Sequence, residues 1–225
     1  MNKITPYYEI LTPISDDGID ELKHIERIGR VCYKSENKIT DDGESAKKFV
    51  AMLIRNGHEA MIEHSSLSVK LAVDRGVSHE IVRHRIASFA QESTRYCNYT
   101  NNKFCKQCTF IDITDGIKMD KGMKNIDSYT MALIILEWHN AMKDAERHYM
   151  TMIELGATPQ IARSVLPNSI KTEIVITANY REWRNFFKLR TESVAHPQMR
   201  EITIPLLEEL KEKIPIIFDD IEVQN

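Results

Sequence analysis

Glycine is scarce in this chain of 225 residues. There are eight glycines, and no two lie closer together than Gly116 and Gly122. A phosphate-binding loop of the G-x-x-x-x-G-K type and a dinucleotide fingerprint of the G-x-G-x-x-G type both require more closely spaced glycines. Both loops are therefore excluded, and if the protein binds a nucleotide, it does so with side chains.

Long apolar runs are lacking as well. No segment approaches the roughly 20 apolar residues of a membrane-spanning helix. Residues 1–12 contain no apolar run behind a basic start. We therefore expect neither a membrane partner nor a signal peptide. Without a secretory signal, the four cysteines are expected to be reduced thiols in the cytoplasm.

An excess of positive charge is also missing. The formal net charge is -3, whereas a protein that coats nucleic acid is usually basic. Hydrophobic residues make up 42% and charged residues 28%, which is typical of a folded globular chain. Because no repeat or linker interrupts the chain, residues 1–225 are predicted to form a single domain.

Hydrophobic periodicity predicts a helix-rich α+β fold with a small mixed or antiparallel sheet. Strands are predicted at residues 4–11, 66–72, 108–113 and 170–178, and residues 94–100 are expected to be extended. Helices are predicted at residues 17–34, 44–56, 77–87, 127–155, 180–191 and 196–213. A further short helix is expected to start at Pro159, and residues 115–124 to form a loop.

The run Arg83-His84-Arg85 places cationic side chains on consecutive residues. Apolar neighbours such as Ile81 and Ile86 indicate partial burial. Partly buried arginines favour planar oxyanions such as phosphate or carboxylate. A solvated charge patch at a helix end remains the alternative.

A second cluster follows near the carboxyl side of the chain. Its members are Arg163, Asn179, Arg181, Asn185 and Arg190. On a helix, Arg181, Asn185 and Lys188 share one face. Asparagine offers both a donor and an acceptor, which suits a ring with alternating carbonyl and N–H groups. Caps and solvated side chains remain the alternative.

Two further groups raise the question of a metal. His58, Glu59, Glu63 and His64 follow a predicted helix end, but they lack the H-E-x-x-H spacing of a zinc site. Cys105-x-x-Cys108 is a single pair without a second pair downstream. We therefore expect structural histidines, incidental cysteines and no metal.

The clusters together resemble a known family. Arg83-His84-Arg85, followed after seven residues by Ser93, resembles the signature of flavin-dependent thymidylate synthases. The flanking segments fall in the order of that family: Gly57-His58-Glu59, Glu63-His64, Arg95-Tyr96, Ala162-Arg163-Ser164-Val165-Leu166-Pro167, Asn179-Tyr180-Arg181, Asn185-Phe186 and Leu189-Arg190. The resemblance covers residues 57–198, which is most of the chain.

The resemblance implies specific roles. Residues implied to contact FAD are His58, Glu63, Arg83, His84, Arg85, Asn179, Arg181 and Asn185. Residues implied to bind dUMP are Gln91, Ser93, Arg95, Arg163 and Arg190. Arg190 is implied to lie near the uracil, where a cation favours negative charge on the ring. Glu80, which stands where some members have glutamine, receives no role.

The resemblance also implies the reaction and the assembly. The expected reaction is methylation of dUMP to dTMP, with carbon from 5,10-methylenetetrahydrofolate and reducing equivalents from NADPH through FAD. The expected assembly is a homotetramer with shared sites. The alternative is an RNA- or DNA-binding module that uses Arg83, Arg85, Phe89, Arg95 and Tyr96 as interleaved cations and aromatics. The acidic net charge argues against that alternative.

Overall fold

A computed structural model describes residues 1–223. The strands are β1 (Asn2–Ile4), β2 (Tyr7–Ile10), β3 (Ser66–Asp74), β4 (Ala87–Gln91), β5 (Thr109–Ile111) and β6 (Lys171–Asn179). The helices are α1 (Ile19–Tyr33), α2 (Glu44–Arg55), α3 (Arg75–Ile81), α4 (Thr114–Met119), α5 (Ser128–Glu154), α6 (Pro159–Ala162), α7 (Tyr180–Arg190) and α8 (Pro197–Lys213). Within residues 1–223, no helix combines the length and apolarity that a membrane crossing needs.

The predicted α+β architecture is confirmed, with one antiparallel and one parallel sheet. β2, β3, β6 and β4 form a four-stranded antiparallel sheet in that order, and β1 pairs with β5 in a parallel two-stranded sheet. β3 and β6 pair along their whole lengths, from Ser66 opposite Asn179 to Asp74 opposite Lys171. β6 is therefore a central strand, and its last residue leads directly into α7.

The main core lies between one face of the antiparallel sheet and helices α1, α2, α7 and α8. Leu67, Val69 and Leu71 of β3 all point into it, because alternate side chains of a strand share a face. Trp183 of α7 is fully buried, and its indole N–H donates to the carbonyl of Leu67 at 3.0 Å. This packing holds α7, with the polar residues that it carries, against the sheet.

A second, smaller core lies against α5. It contains Tyr99, Cys108, Phe110, Met142, Tyr149, Ala162 and Ile170. The predicted long helix is confirmed as α5, but this chain covers its apolar side only in part. Tyr129 is 73% exposed, Leu133 42% and Leu136 50%. These three residues recur at helical spacing and form the α5 stripe, an exposed apolar surface.

The prediction of one strand at residues 4–11 is wrong in one respect. The segment forms two strands, which belong to two different sheets. Thr5 and Pro6 separate β1 from β2. Pro6 has no N–H to donate to a strand ladder, which favours an interruption there. β1 pairs with β5, whereas β2 pairs with β3.

The helix predicted at residues 77–87 ends early. The Asp74 carboxylate caps the start of α3, and the helix ends at Ile81. Ala87 already pairs with the central strand β6. Pairing with β6 outweighs the local helical spacing, as tertiary contacts often do. The run Arg83-His84-Arg85 therefore lies in the connection from α3 to β4, not on a helix.

Residues 94–100 form turns, although the sequence predicted an extended segment. The carbonyl of Ser93 accepts the backbone N–H groups of Tyr96 and Cys97, at 3.2 and 2.9 Å. Bonds of this local kind use the donors that a strand would offer to a neighbour.

Residues 115–124 are helical rather than a loop. They include most of α4 and a short 3₁₀ turn at Lys121–Met123. α4 packs closely on α8, where a Cβ on Gly116 would lie 2.6 Å from Cγ of Gln198. A helix of six residues is too short for its periodicity to be recognised in the sequence.

Candidate active site

A cavity of about 510 Å³ lies at the start of α7 and is called the α7 cavity here. Its lining combines charged groups of both signs, two amides and one aliphatic side chain: Glu59, Glu63, Ile86, Asn179, Arg181, Glu182, Asn185 and Lys188. Glu63, Asn179, Arg181 and Asn185 were implied to contact FAD. The structure brings these four residues together.

The start of α7 positions the amides and cations of this cavity. Asn179 caps the helix, because its Oδ1 accepts the backbone N–H of Glu182 at 2.9 Å. Arg181, Asn185 and Lys188 follow at helical spacing, and all three line the α7 cavity. The predicted shared face is therefore confirmed. Free N–H groups in a first turn favour an anion nearby.

Arg181 is an exposed cation of the cavity. Its guanidinium pairs with Glu63 and approaches Glu59 at 3.8 Å. The side chain of Arg181 is 54% exposed and that of Glu63 is 41% exposed. Exposed ion pairs are weak, because water screens the two charges. Arg181 can therefore exchange these partners for an anionic ligand at little cost.

The three residues of the Arg83-His84-Arg85 run point in different directions. Arg83 and Arg85 are exposed, whereas His84 is 4% exposed. The His84 ring packs edge-to-face on Phe186, with centroids 4.9 Å apart. Its Nδ1 lies 2.8 Å from Oε1 of Glu182. Arg83 and Arg85 are thus available to a ligand, while His84 faces the interior.

Arg190 is held from two sides. Its Nη1 and Nη2 donate to Oε2 and the carbonyl of Glu80, at 2.8 and 3.1 Å. Its Nε donates to Nε2 of His84 at 3.1 Å. Glu80, which received no role from the sequence, is therefore the ion-pair partner of Arg190. Burial is the main cause that lowers the pKa of His84, and Arg190 adds to it, while Glu182 opposes the shift.

Arg163 lies in a different cavity, of about 430 Å³, which is called the Arg163 cavity here. Its Nη1 donates to Oγ1 of Thr94 at 3.1 Å. Arg75 and His79 also line this cavity. It thus combines two guanidinium groups, an imidazole and a hydroxyl, which suits an anion.

The other residues implied to bind dUMP are engaged locally. Gln91 donates from Nε2 to Oγ of Ser78 at 2.8 Å and to Oγ1 of Thr172 at 3.2 Å. Oγ of Ser93 accepts the backbone N–H of Arg95 at 3.3 Å. Arg95 is exposed. Gln91, Ser93, Arg95 and Arg190 are not among the residues that line the two cavities.

His58 also lies apart from the α7 cavity. It follows Gly57, whose φ of +69° gives α2 a left-handed end. His58 lines a third cavity, of about 340 Å³, together with Arg30, Tyr33 and Phe49. Glu59 faces the α7 cavity instead, so these neighbours serve different surfaces.

The cysteines occupy unlike environments. Cys32 and Cys105 are exposed. Burial raises the pKa of the Cys108 thiol to about 12. Burial first and the Glu92 carboxylate second raise the pKa of Cys97. In the described part of the chain, no three His, Cys, Asp or Glu side chains are grouped to hold a metal ion.

Three acidic residues at the site received no role from the sequence: Glu59, Glu80 and Glu182. Glu182 is three residues after the cap Asn179, a spacing typical of a helix start. That spacing could locate α7, but it contains no information about His84, which is distant in the chain. Glu80 likewise meets Arg190 only through the fold.

Comparisons with known proteins show the family of this chain. The model of the family described as "Thymidylate synthase complementing protein" (Thy1) matches residues 17–216. A flavin-dependent thymidylate synthase from Mycobacterium sp. (strain JLS) is 31% identical over 209 residues, which span 88% of this chain and 79% of the relative. One from Corynebacterium efficiens is 28% identical over 229 residues, which span 100% of this chain and 88% of the relative. With most of its length matched in this way, the chain belongs to the family of flavin-dependent thymidylate synthases, which are enzymes.

Proposed function

We propose that this protein catalyses the reductive methylation of dUMP to dTMP, with 5,10-methylenetetrahydrofolate as carbon donor and NADPH as reductant through FAD. One observation carries the proposal beyond family membership. Glu182 lines the α7 cavity and contacts His84, and His84 contacts Arg190. The cation proposed to act on the uracil is therefore linked through two contacts to the cavity proposed for the flavin.

The residues of the α7 cavity fit part of an FAD molecule. Arg181 and Lys188 offer positive charge to its diphosphate, and Asn185 offers amide hydrogen bonds. Ile86 is 69% exposed and presents an apolar surface. Arg83 and Arg85 add exposed cations. When bound, FAD supplies two-electron redox chemistry, while the protein supplies binding, orientation and electrostatics.

The remaining polar residues are assigned to dUMP. Arg163 and Arg95 bind its phosphate, Ser93 donates a hydrogen bond, and Gln91 contacts the ring. We propose that single-domain chains form a homotetramer in the cytoplasm and that the sites are shared between subunits. The α5 stripe supports this assembly, because contiguous exposed apolar surface favours association.

The test is direct. The purified protein is examined for FAD by its absorbance spectrum and is assayed for dTMP with dUMP, 5,10-methylenetetrahydrofolate and NADPH. We expect a yellow protein that releases FAD on denaturation and forms dTMP only when all three substrates are present. Protein that neither retains nor binds added FAD contradicts the proposal. Co-purified nucleic acid in its place would favour a nucleic-acid-binding module.

Replacing Asn185 by alanine is expected to weaken FAD binding about fivefold to tenfold, because one or two neutral hydrogen bonds are lost. The dissociation constant is measured by quenching of flavin fluorescence. Asn125→Ala, at an exposed position outside the cavity, is the matched control and should bind FAD like the unaltered protein. Equal affinities of the two variants for FAD would show that Asn185 does not contact the flavin.

A chain without cysteine is expected to keep its activity. A catalytic thiolate requires a lowered pKa, whereas burial raises the pKa of Cys97 and of Cys108. The variant carries serine at the exposed positions 32 and 105 and alanine at positions 97 and 108, and it is assayed for dTMP. If it folds and holds FAD but is inactive, and if restoring Cys97 recovers turnover, a covalent mechanism is required.

A further inference from the structure

Glu182 is a carboxylate that the proposed chemistry leaves without a role. It is 7% exposed, although it lines the α7 cavity. Its Oε1 contacts Nδ1 of His84 at 2.8 Å, and the amide nitrogen of Asn185 lies 3.3 Å from the same oxygen. Burying a carboxylate costs free energy unless its oxygens accept hydrogen bonds. A buried glutamate at this position therefore indicates a specific role.

We propose that Glu182 is a positioning residue, which acts through His84 to fix the orientation of the Arg190 guanidinium. The proposal rests on the proposed function, since it assumes that Arg190 acts on the substrate. Glu182 itself touches no reacting atom in this scheme. Its effect is transmitted across the imidazole ring.

The protonation of His84 follows from the two contacts. An arginine Nε always carries a proton and can only donate. Because Arg190 Nε approaches His84 Nε2 at 3.1 Å, Nε2 must be the unprotonated acceptor. Nδ1 then carries the ring proton and donates it to Glu182. His84 is therefore neutral, with its proton on Nδ1, and Glu182 selects this tautomer.

The guanidinium of Arg190 is thereby fixed at all three nitrogens. Nη1 and Nη2 are held by Glu80, and Nε is held by His84. Three of the five N–H groups of the fork are engaged by these bonds within the described chain, and two remain for a ligand. If the His84 ring flipped or became protonated, Nε of Arg190 would lose its acceptor. The guanidinium group could then rotate about its contacts with Glu80.

The charged groups around His84 are few and lie on two elements. Glu182 and Arg190 face it from α7, and Glu80 of α3 lies beyond Arg190. Of these, Glu182 stabilises the protonated ring and Arg190 destabilises it. Removing the carboxylate charge should therefore make His84 harder to protonate.

Kinetics of two variants separate positioning from a merely structural role. Glu182→Gln keeps an oxygen that accepts the Nδ1 proton, whereas Glu182→Ala does not. We expect Glu182→Ala to lower kcat for dTMP formation about tenfold, since a misplaced catalytic group reduces turnover. Glu182→Gln should retain kcat within about threefold, because the tautomer is preserved. Glu192→Ala, just after α7, is the control.

The pH profile is the second kinetic measurement. In the unaltered protein, protonation of His84 removes the acceptor for Arg190, so kcat should fall on the acid side. In Glu182→Gln, this acid limb should move to lower pH, because the carboxylate that favoured protonation is gone. If the Glu182 carboxylate only stabilised the fold, Glu182→Gln would leave the pH at which kcat falls unchanged. An unmoved limb would overturn the proposal.

Nuclear magnetic resonance of protein labelled with ¹⁵N-histidine tests the tautomer without any activity. The His84 signals, assigned by their loss in His84→Gln, should show a protonated Nδ1 and a bare Nε2 at neutral pH. A proton on Nε2 would refute the assignment even if Glu182→Ala failed to fold. If the unaltered protein makes no dTMP, the proposed function fails, while the tautomer is still decided by the spectrum.

Discussion

Replacing Arg190 by glutamine is expected to lower kcat for dTMP formation by about 100–1,000-fold. Loss of one preorganised electrostatic contact to developing charge has effects of this size. Arg190 is suited to such a role because Glu80 and His84 already hold its guanidinium in place. Glutamine keeps hydrogen-bond donors but removes the charge. FAD retention should change little, since Arg190 does not line the α7 cavity.

The matched control for this variant is Arg147→Gln. Arg147 is exposed on α5, where it pairs with Asp144 at 3.1 Å. The Arg147→Gln variant should form dTMP with the kcat of the unaltered protein. Thermal unfolding of both variants shows whether the unpaired Glu80 has destabilised the fold. If Arg190→Gln raises KM for dUMP and leaves kcat unchanged, Arg190 binds substrate and transition state equally and is not an activator.

Replacing Glu201 by glutamine is expected to stabilise the protein at alkaline pH. Glu201 lies on α8 beside Gly116, and its Oε2 is buried without a hydrogen-bond partner in the described chain. Burial first, and then the charges of Asp115, Asp112 and Asp74, raise the pKa of Glu201 to about 7, while Lys118 opposes the shift. The folded protein thus holds this proton more tightly than the unfolded chain does.

The sign of the effect follows from that difference. With its raised folded-state pKa, Glu201 contributes stability below its unfolded pKa of 4.5 and loses that contribution as pH rises through about 7. Glutamine is neutral at every pH. The free energy of unfolding of Glu201→Gln, relative to that of the unaltered protein, should therefore grow by about 2 kcal/mol between about pH 5 and about pH 8.5. Costs of the new amide that do not depend on pH cancel in this comparison.

Urea unfolding at the two pH values, at one protein concentration, measures the advantage. Glu212→Gln, exposed on the same helix, is the control and should show no such growth. The same difference in free energy of unfolding at both pH values would mean that Glu201 is not held protonated by the fold.

The local sequence pattern was sufficient to predict the long helices and strands and one face of the α7 cavity. Arg181, Asn185 and Lys188 share the face that helical spacing predicted, because this relation depends only on the geometry of α7. The strand predicted at residues 66–72 is likewise present, within β3. Such features are decided by neighbours in the chain, so a single sequence contains them.

Contacts across the fold could not be foreseen in this way. His84 meets Glu182, and Glu80 meets Arg190, only after β4 and β6 have paired and α7 has packed on the sheet. The run containing His84 was expected to be helical, which would have given the ring other neighbours. The roles of Glu80 and Glu182 are therefore properties of the tertiary structure.

The central place of β6 has a consequence for synthesis on the ribosome. Both β3 and β4 pair with β6, Ser66 with Asn179 and Ala87 with Ala178, so most of the nascent chain must emerge before the sheet can close. Sheets with such distant pairings fold slowly, and unpaired strand edges attract other chains in the meantime. We therefore expect the yield of folded protein to rise when translation is slowed by low temperature or when a chaperone shields β3.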